Sequence, residues 1–344
     1  MKIGIIKDIN TDKNKYIYYY QLVLDYNSID HKIVDVNSNE FFSEIKNIDH
    51  LIFRWGHYDS DRQLAHTLLP IIEYNLGINC FPNQHTCWHF DDKVRQYYLM
   101  KAYGYPFIDS FIFWDKISAL KWIATATFPL VFKLKGGAGS KNVHLIKSRQ
   151  KAIIIVKRIF TKGISQNNID KNTFSLKRYI RHLGGMLLRK IAGEQAGDTW
   201  QKEKNYILFQ KYLPNNDFDT RVTTIGKRAF AFRRFNRSND FRASGSGKID
   251  HDISKIDVRC IQKALEISIS MKFQTMAYDF IYNETKEPEC CEISYTYQDN
   301  IIFNCPGYWD ENLEFHEGHF LPEYFHVMDL LNVPNLKHPL NIKF

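Results

Sequence analysis

Apolar positions along this chain follow two rhythms, and their succession lays out its organisation. Over residues 1 to about 85, short apolar runs at 2–6, 32–36 and 50–53 alternate with stretches of helical period at 15–26 and 62–76, predicting a small parallel α/β layer. A helix is expected next over DKVRQYYLMKAYG, with Asp91 as its N-cap and Gly104-Tyr105-Pro106 as its stop. Residues 107–160 predict a short strand, a helix near 116–125, a strand-loop-strand over FPLVFKLKGGAGSKNV (128–143) and a helix over 149–160. Periodicity weakens over 161–203, read as an insertion with helices at 173–182 and 185–191. Strands return at 206–212, 221–225 and 228–235, the last two joined as a tight hairpin at Gly226-Lys227. A polar loop (236–249), a helix (254–271), two strands (273–282 and 289–294) and a wrapping tail complete an α/β chain of composite α+β character.

Composition narrows the class. The 344 residues are 44% apolar and 24% charged, a globular balance with length for two or three domains or one large composite fold. The net charge of +8 suits an anionic partner. Because Lys and Arg are spread without a basic block, an acidic small molecule such as a nucleotide is expected in place of nucleic acid. Cys80, Cys87, Cys260, Cys290, Cys291 and Cys305 form no C-x-x-C pair, so reduced thiols are expected, with neither a zinc site nor a disulfide framework. The first ten residues are too short and too charged for a signal peptide, and no apolar run approaches the ~20 residues of a membrane span. The expected compartment is the cytoplasm.

The densest chemistry follows the apolar run ending at Lys133. Lys135, Gly136, Gly137, Ala138, Gly139, Ser140 and Lys141 form a small cationic loop. Glycines let backbone N–H groups approach an anion, and successive N–H groups make an anion-binding concavity. The spacing matches neither G-x-x-x-x-G-K-[ST] nor G-x-G-x-x-G, and an ordinary glycine hairpin is the competing reading. Lys93, in the first turn of its helix, acquires meaning only if a phosphate is near. Arg54-Trp55-Gly56-His57 follows the third strand of the parallel layer, at the edge where ligands gather in such sheets; a loop packed by its Trp accounts for it equally.

Further on, Asp279 and Glu292 lie in apolar strands, where an unpaired carboxylate is costly. On adjacent antiparallel strands they would offer oxygen ligands to Mg²⁺, with half-exposed strand carboxylates as the plainer account. Gln210, Lys211, Tyr212 and Leu213 end a strand, and Asp219 follows a turn, as a nucleoside pocket or a solvated turn would have it. Arg233, Arg234, Arg237 and Arg242 flank the 236–249 loop and suit a clamp on charge developing in acyl or phosphoryl transfer. With Phe230, Phe232, Phe235 and Phe241 they would also suit RNA, although the period of two points to strand packing. His316-Glu317-Gly318-His319 lacks the H-E-x-x-H spacing of a zinc protease.

In this order the pieces resemble the ATP-grasp superfamily, nearest the RimK and glutathione-synthetase-like carboxylate–amine ligases, over roughly Asp92 to Ser294. The resemblance implies an ATP-grasp fold with an N-terminal parallel α/β pre-ATP-grasp domain (1–90), a central subdomain with the phosphate loop and a helical insertion (91–204), and a C-terminal subdomain with the metal strands and tail (205–344). It implies phosphate contacts at Lys93, Lys133 and the loop 135–140, an adenine frame at Gln210 to Leu213, and ribose at Asp219. Arg242 would meet the γ-phosphate and the tetrahedral intermediate, and Asp279, Glu292 and Ser294 would occupy the magnesium positions. Two departures stand out. Glu292-Ile293-Ser294 replaces the usual E-x-N, and Gln210-Lys211 replaces Gln-Glu, leaving the adenine contact to the backbone. The tail CPGYWDENLEFHEGHFLPE resembles one seen in ATP-grasp proteins associated with bacterial surface-polysaccharide genes.

The expected function is therefore an ATP- and Mg²⁺-dependent ligase that joins a small-molecule carboxylate to an amine through an acyl phosphate. Its acid would be a sugar acid or amino acid of surface-polysaccharide biosynthesis, and Lys133, Arg234 and Arg242 would serve as catalytic groups. No nucleic acid or membrane span is expected, and a homodimer is left open. A small-molecule kinase of the same fold and a non-catalytic nucleotide- or RNA-binding module are the rival readings.

Overall fold

The N-terminal layer begins where the sequence is most uniformly apolar. β1 (Ile3–Ile6) is buried at every position, as a parallel strand covered on both faces should be. In the computed structural model, which describes residues 1–7, 15–137, 142–164, 202–237, 240–243 and 245–339, β1 lies between β2 (His31–Val34) and β3 (His50–Ile52). β4 (Asn79–Phe81) completes a parallel sheet in the order β2-β1-β3-β4. Parallel neighbours need crossovers, and α1 (Lys15–Tyr26), α2 (Phe41–Ile45) and α3 (Asp59–Pro70) provide helical segments for them. β4 and α2 were absent from the sequence pattern because elements this short show no period. α3 begins at Asp59 where residue 62 was expected, and at Pro70 it passes into a π-helical turn, Ile71–Asn75.

After α4 (Gln84–Cys87), α5 (Lys93–Ala102) is capped by Asp92, whose Oδ1 accepts the N–H groups of Val94 and Arg95. This corrects the expected cap at Asp91: only the residue directly before the helix reaches those donors. Asp91 instead adopts a left-handed backbone, φ +54°, and serves the site described below.

β5 (Ser110–Phe113), β6 (Leu130–Lys133), β7 (Val143–Ile146) and β8 (Ile207–Lys211) form an antiparallel sheet in the order β5-β8-β6-β7. α6 (Lys116–Ile123) and α7 (Arg149–Ile159) share its core, with Ala119, Ile123, Ala152 and Val156 joining Phe132 and Phe209. β6 and β7 are the expected strand-loop-strand, closed by the pair Lys133 and Val143. The loop residues Ala138, Gly139, Ser140 and Lys141, and the helices expected at 173–182 and 185–191, lie outside the described residues.

The largest sheet has seven strands in the order β13-β12-β9-β10-β14-β15, with β11 also on β10. Its members are β9 (Phe218–Ile225), β10 (Arg228–Phe235), β11 (Ile249–Asp250), β12 (Thr275–Tyr282), β13 (Pro288–Ser294), β14 (Gly307–Trp309) and β15 (Phe315–Glu317). The β9–β10 hairpin turns at Gly226, φ +55°, where an added Cβ would run into the Asp329 carboxylate. α8 (Val258–Ser270) covers one face with Cys260, Ile261, Ala264, Leu265 and Ser268, a stripe of helical period. The tail contributes β14 and β15, and after α9 (Asp299–Phe303) it returns as α10 (Pro322–Leu331) against α1. Among the described residues no helix is long and apolar enough to cross a membrane, and the cysteines are free thiols.

Candidate active site

Strand parity decides which side chains meet. Thr224 and Tyr278 both hydrogen-bond to Ser268 on α8, so residues of opposite parity on β9 and β12 face away from that helix. Arg221 and Asp279 are of this kind and sit directly opposite each other. Asp279 also pairs with Glu292 on β13, and Arg221 with Phe232 on β10. The result is a straight row across four strands: Glu292, Asp279, Arg221, Phe232. Two residues along β10, Arg234 pairs with Asp219.

The charges interlock. Arg221 donates to both Asp279 oxygens, Nε to Oδ1 at 2.6 Å and Nη2 to Oδ2 at 2.8 Å. Arg234 donates to both oxygens of Asp219 at 2.7 Å and places Nη2 2.7 Å from Asp279 Oδ2. Burial alone would raise the Asp279 pKa, but Arg221 and Arg234 outweigh it and hold the carboxylate well below its ordinary range. At Asp219 burial prevails over Arg234, and its pKa is raised. Fork-shaped pairing of this kind fixes orientation as well as charge.

Two cavities meet at this row. The smaller, about 100 Å³, lies beside Val131, Lys133 and the strand end Gln210, Lys211, Tyr212 and Leu213, with Asp219 and Arg242 also in its wall. The larger, about 650 Å³, is bounded by Gly56, His57, Lys93, Gly137, Arg221 and Arg234 among others. Val143, Ala243, Asp279 and Glu292 line both, so the two carboxylates stand at the shared border. Lys93 reaches the same place from the start of α5, with Nζ 3.2 Å from Glu292 Oε1 and donating to the Gly137 carbonyl at 3.2 Å. Burial opposes its charge, but Glu292 and Asp91 outweigh that and raise its pKa. Lys133 Nζ donates to the Cys291 carbonyl at 3.5 Å. Oxygen donors side by side, flanked by two buried ammonium groups, are a set that suits a hard divalent cation and polyanionic phosphate together.

The other expected residues fall as follows. Gly137, φ +109°, gives its N–H to Asp91 Oδ1 at 2.8 Å, and the Gly136 carbonyl accepts from Asn142. The described part of the glycine loop is thus tied to Asp91, which also lies 3.7 Å from His57 and 3.6 Å from Arg62. Lys135 turns to Glu203 at 3.5 Å and lines neither cavity. Gln210 donates to Ser110 Oγ, and the Tyr212 ring stands edge-on to Phe241. Arg242 pairs with Asp240 and donates to the Val143 carbonyl at 3.2 Å. Ser294, in the larger cavity, donates its hydroxyl to the Thr296 carbonyl at 2.8 Å. Of Arg54-Trp55-Gly56-His57, Gly56 and His57 line the larger cavity, whereas Arg54 is buried on Asp299 and Glu323.

Sequence reasoning placed Arg221 at the start of a strand and Asp91 at a helix cap, and gave neither a role in the site. Arg221 had a signal: it stands two residues after Asp219 in an extended segment and so shares its face. Asp91 had none, since its role depends on a loop 46 residues away. Among the described residues, Asp310, Glu314 and His316 on the tail are the group of three whose ligand atoms lie within 4.8 Å of one another; Asp310 Oδ2 and His316 Nε2 are 2.9 Å apart, and neither cavity includes them.

No protein-family model and no curated protein matches the chain. Solved structures do. A RimK-domain ATP-grasp protein from Sphaerobacter thermophilus is similar with a TM-score of 0.56 and 10% identity, over 96% of this chain and all of that one. D-cycloserine synthetase DcsG is similar at 0.54 and 14%, over 96% and 99%. The ATP-grasp ligase PsnB, complexed with a minimal precursor, Mg and ADP, is similar at 0.51 and 12%, over 88% and 92%. At such identities the likeness speaks for architecture, and with the parallel layer and two antiparallel sheets described above it establishes that this chain has the ATP-grasp fold.

Proposed function

We propose that the chain is an ATP-dependent carboxylate–amine ligase. The observation that carries this reading is the border shared by the two cavities, where Asp279 and Glu292 stand between a cleft at a strand end and a larger chamber. A nucleotide in the smaller cavity, its base against the backbone of Gln210 to Leu213 and its sugar near Asp219, would carry its phosphates to that border. An acid in the larger chamber would meet them there. Asp279 and Glu292 would hold Mg²⁺, which supplies Lewis-acid neutralisation of phosphate charge when bound. The fold likeness to ligases, one of them with Mg and ADP, supports the reading.

Within this proposal, a carboxylate oxygen of the acid attacks the γ-phosphorus, the bond from that phosphorus to the bridging oxygen breaks, and ADP departs with the electron pair. The amine nitrogen then attacks the acyl carbon, phosphate leaves, and the nitrogen loses a proton to solvent. Lys93 and Lys133 balance phosphate charge, and Arg234 and Arg242 steady the charge that develops. Positioning by fixed side chains carries much of such a reaction without a dedicated base. The resemblance of the tail to proteins of surface-polysaccharide genes points to a sugar acid or an amino acid as the acid.

The test is ADP release with Mg²⁺ present. Ligation requires that release depend on both an acid and an amine. Amine-independent release with a stable phosphorylated product would establish a kinase instead, and nucleotide binding without turnover under any acid would establish a binding module.

A further inference from the structure

One step of the ligase reading has no group beside it: the proton that the amine must lose. An alkyl amine is an ammonium ion near neutral pH, and its nitrogen has no lone pair to attack with until a base takes a proton. Among the described residues lining the larger cavity, most of the titratable side chains are already committed. Asp279 and Glu292 are the carboxylates assigned to the cation. Arg221 and Arg234 stay protonated, and Lys93 is held charged by Glu292 and Asp91 against its burial. Burial raises the pKa of Tyr16 and of Tyr297, so neither is an anion near neutrality. That leaves His57, and imidazole is the side chain suited to proton transfer in this range.

The surroundings of His57 fit the task. Its side chain is 42% exposed, lines the chamber and lies beside the Phe90 ring, with centroids 4.8 Å apart. Nδ1 is 3.7 Å from Asp91 Oδ1, the same oxygen that accepts the Gly137 N–H at 2.8 Å. Arg62 stands 3.6 Å from the other oxygen. Burial opposes the Asp91 charge, but His57, Lys93 and the Gly137 N–H outweigh it and lower its pKa. An ionised carboxylate therefore stands behind the ring, as an imidazolium requires. With Nδ1 toward Asp91, Nε2 lies at the opposite end of the ring. Through Asp91 the imidazole is also tied to the start of the glycine loop, where Gly137 accepts from Lys93 and Lys93 meets Glu292.

Building on the ligase reading, we infer that His57 is the general base of the amine half of the reaction, and that the amine is of the alkyl type that arrives as an ammonium ion. His57 Nε2 takes one proton from the bound ammonium, and Asp91 balances the imidazolium. The freed lone pair forms the bond to the acyl carbon, the bond from that carbon to the phosphate oxygen breaks, and phosphate leaves with the electron pair. The nitrogen sheds its remaining extra proton to solvent, and the imidazolium then does the same. A base positioned in this way contributes about 10²–10⁴-fold.

The test uses the full chain with ATP and Mg²⁺, a panel of L-alanine, L-glutamate, D-glucuronate and D-galacturonate as acids, and two kinds of nucleophile. Hydroxylamine is neutral near neutral pH and needs no base, whereas methylamine, glycine and L-lysine are ammonium ions that do. With an acid that gives hydroxamate, His57→Gln should lower kcat/KM for amide formation by about 10²-fold or more, and hydroxamate formation by less than about threefold. The hydroxamate reaction also reports that the variant is folded. Equal losses with both kinds of nucleophile would make His57 a structural support of the Asp91–Gly137 contact and overturn the inference. An undiminished amide rate, or hydroxamate from the wild type without amide from any of the amines, overturns it too, and all three outcomes leave the ligase reading standing. No hydroxamate from any acid of the panel brings down the ligase reading, and the inference with it.

Discussion

Two buried arginine–carboxylate clusters in this protein are built from the same parts and differ in what surrounds them. In the seam between the parallel layer and the tail, Arg54 lies 2.7 Å from Asp299 and 3.3 Å from Glu323, with all three side chains at most 5% exposed. The rings of Tyr16 and Tyr297 flank its guanidinium, at 4.0 and 5.1 Å. One cation there faces two acids. In the seven-stranded sheet, Arg221 and Arg234 face Asp279 and Asp219, and the row opens to the cavity through Arg221 at 19% exposure and Glu292 at 33%. The sealed cluster is spent on itself. The open one holds charge toward a cavity, where an incoming anion or cation can rearrange it.

The sharpest break between the two comes from removing one carboxylate in each. Asp279→Asn, and Lys133→Ala beside it, should cut ADP formation by about 10³-fold or more, since each removes a charge aimed at the reacting phosphates. Asp299→Asn, which lines neither cavity, should lower the melting temperature and leave turnover per folded molecule near wild type. Near-normal turnover by Asp279→Asn would sink the assignment of the open row.

How far this contrast was legible beforehand varies residue by residue. The strands carrying Asp279 and Glu292 were readable because each carboxylate sits among apolar neighbours, in MAYDFIY and CCEIS, and the antiparallel pairing that sets them side by side follows from their short connection. Arg221 was readable in principle but fell at the edge of a strand expected to begin at 221, which in fact starts at Phe218; of the three residues lost, Asp219 shares its face. Arg54 read as part of a ligand wall because its position after β3 is right for one. Its true partners lie 245 and 269 residues later on α9 and α10, and no local pattern encodes a pairing across that distance. Asp91 and Asp92 are identical neighbours; tertiary contact alone assigns one to the cap and the other to Gly137.

Next in size is the seam itself. Arg54→Met keeps much of the side chain's volume and leaves two acids without their cation. Breaking a buried pair in this way costs about 3–5 kcal/mol, and a denaturant titration should show a loss of that order. The nucleotide cleft lies elsewhere, so ADP affinity in the folded fraction should hold. If Arg54→Met folds as stably as wild type but no longer binds ADP, the seam belongs to the site and the division between the clusters is wrong.

The smallest effect is the most discriminating, because one carboxylate of each cluster, Glu323 in the sealed one and Asp279 in the open one, should answer pH with opposite signs. Burial raises the Glu323 pKa well above its ordinary 4.5, with Asp299 adding to the rise and Arg54 opposing it. As pH climbs past 4.5 the unfolded chain releases this proton while the folded chain keeps it, so the group's contribution turns increasingly against folding up to its raised folded value. Asp279 runs the other way: its pKa is depressed from 3.8, and its stabilisation is complete above that value and lost only as pH falls below it. Between about pH 5 and 8 Asp279 therefore contributes no slope, and the difference between wild type and Glu323→Gln isolates that of Glu323. Glu323→Gln ionises in neither state, so its melting temperature should rise relative to wild type across this window. A constant difference would mean that Glu323 is a full ion-pair partner of Arg54, as Asp279 is of Arg221, and the clusters would then differ only in access to the cavity.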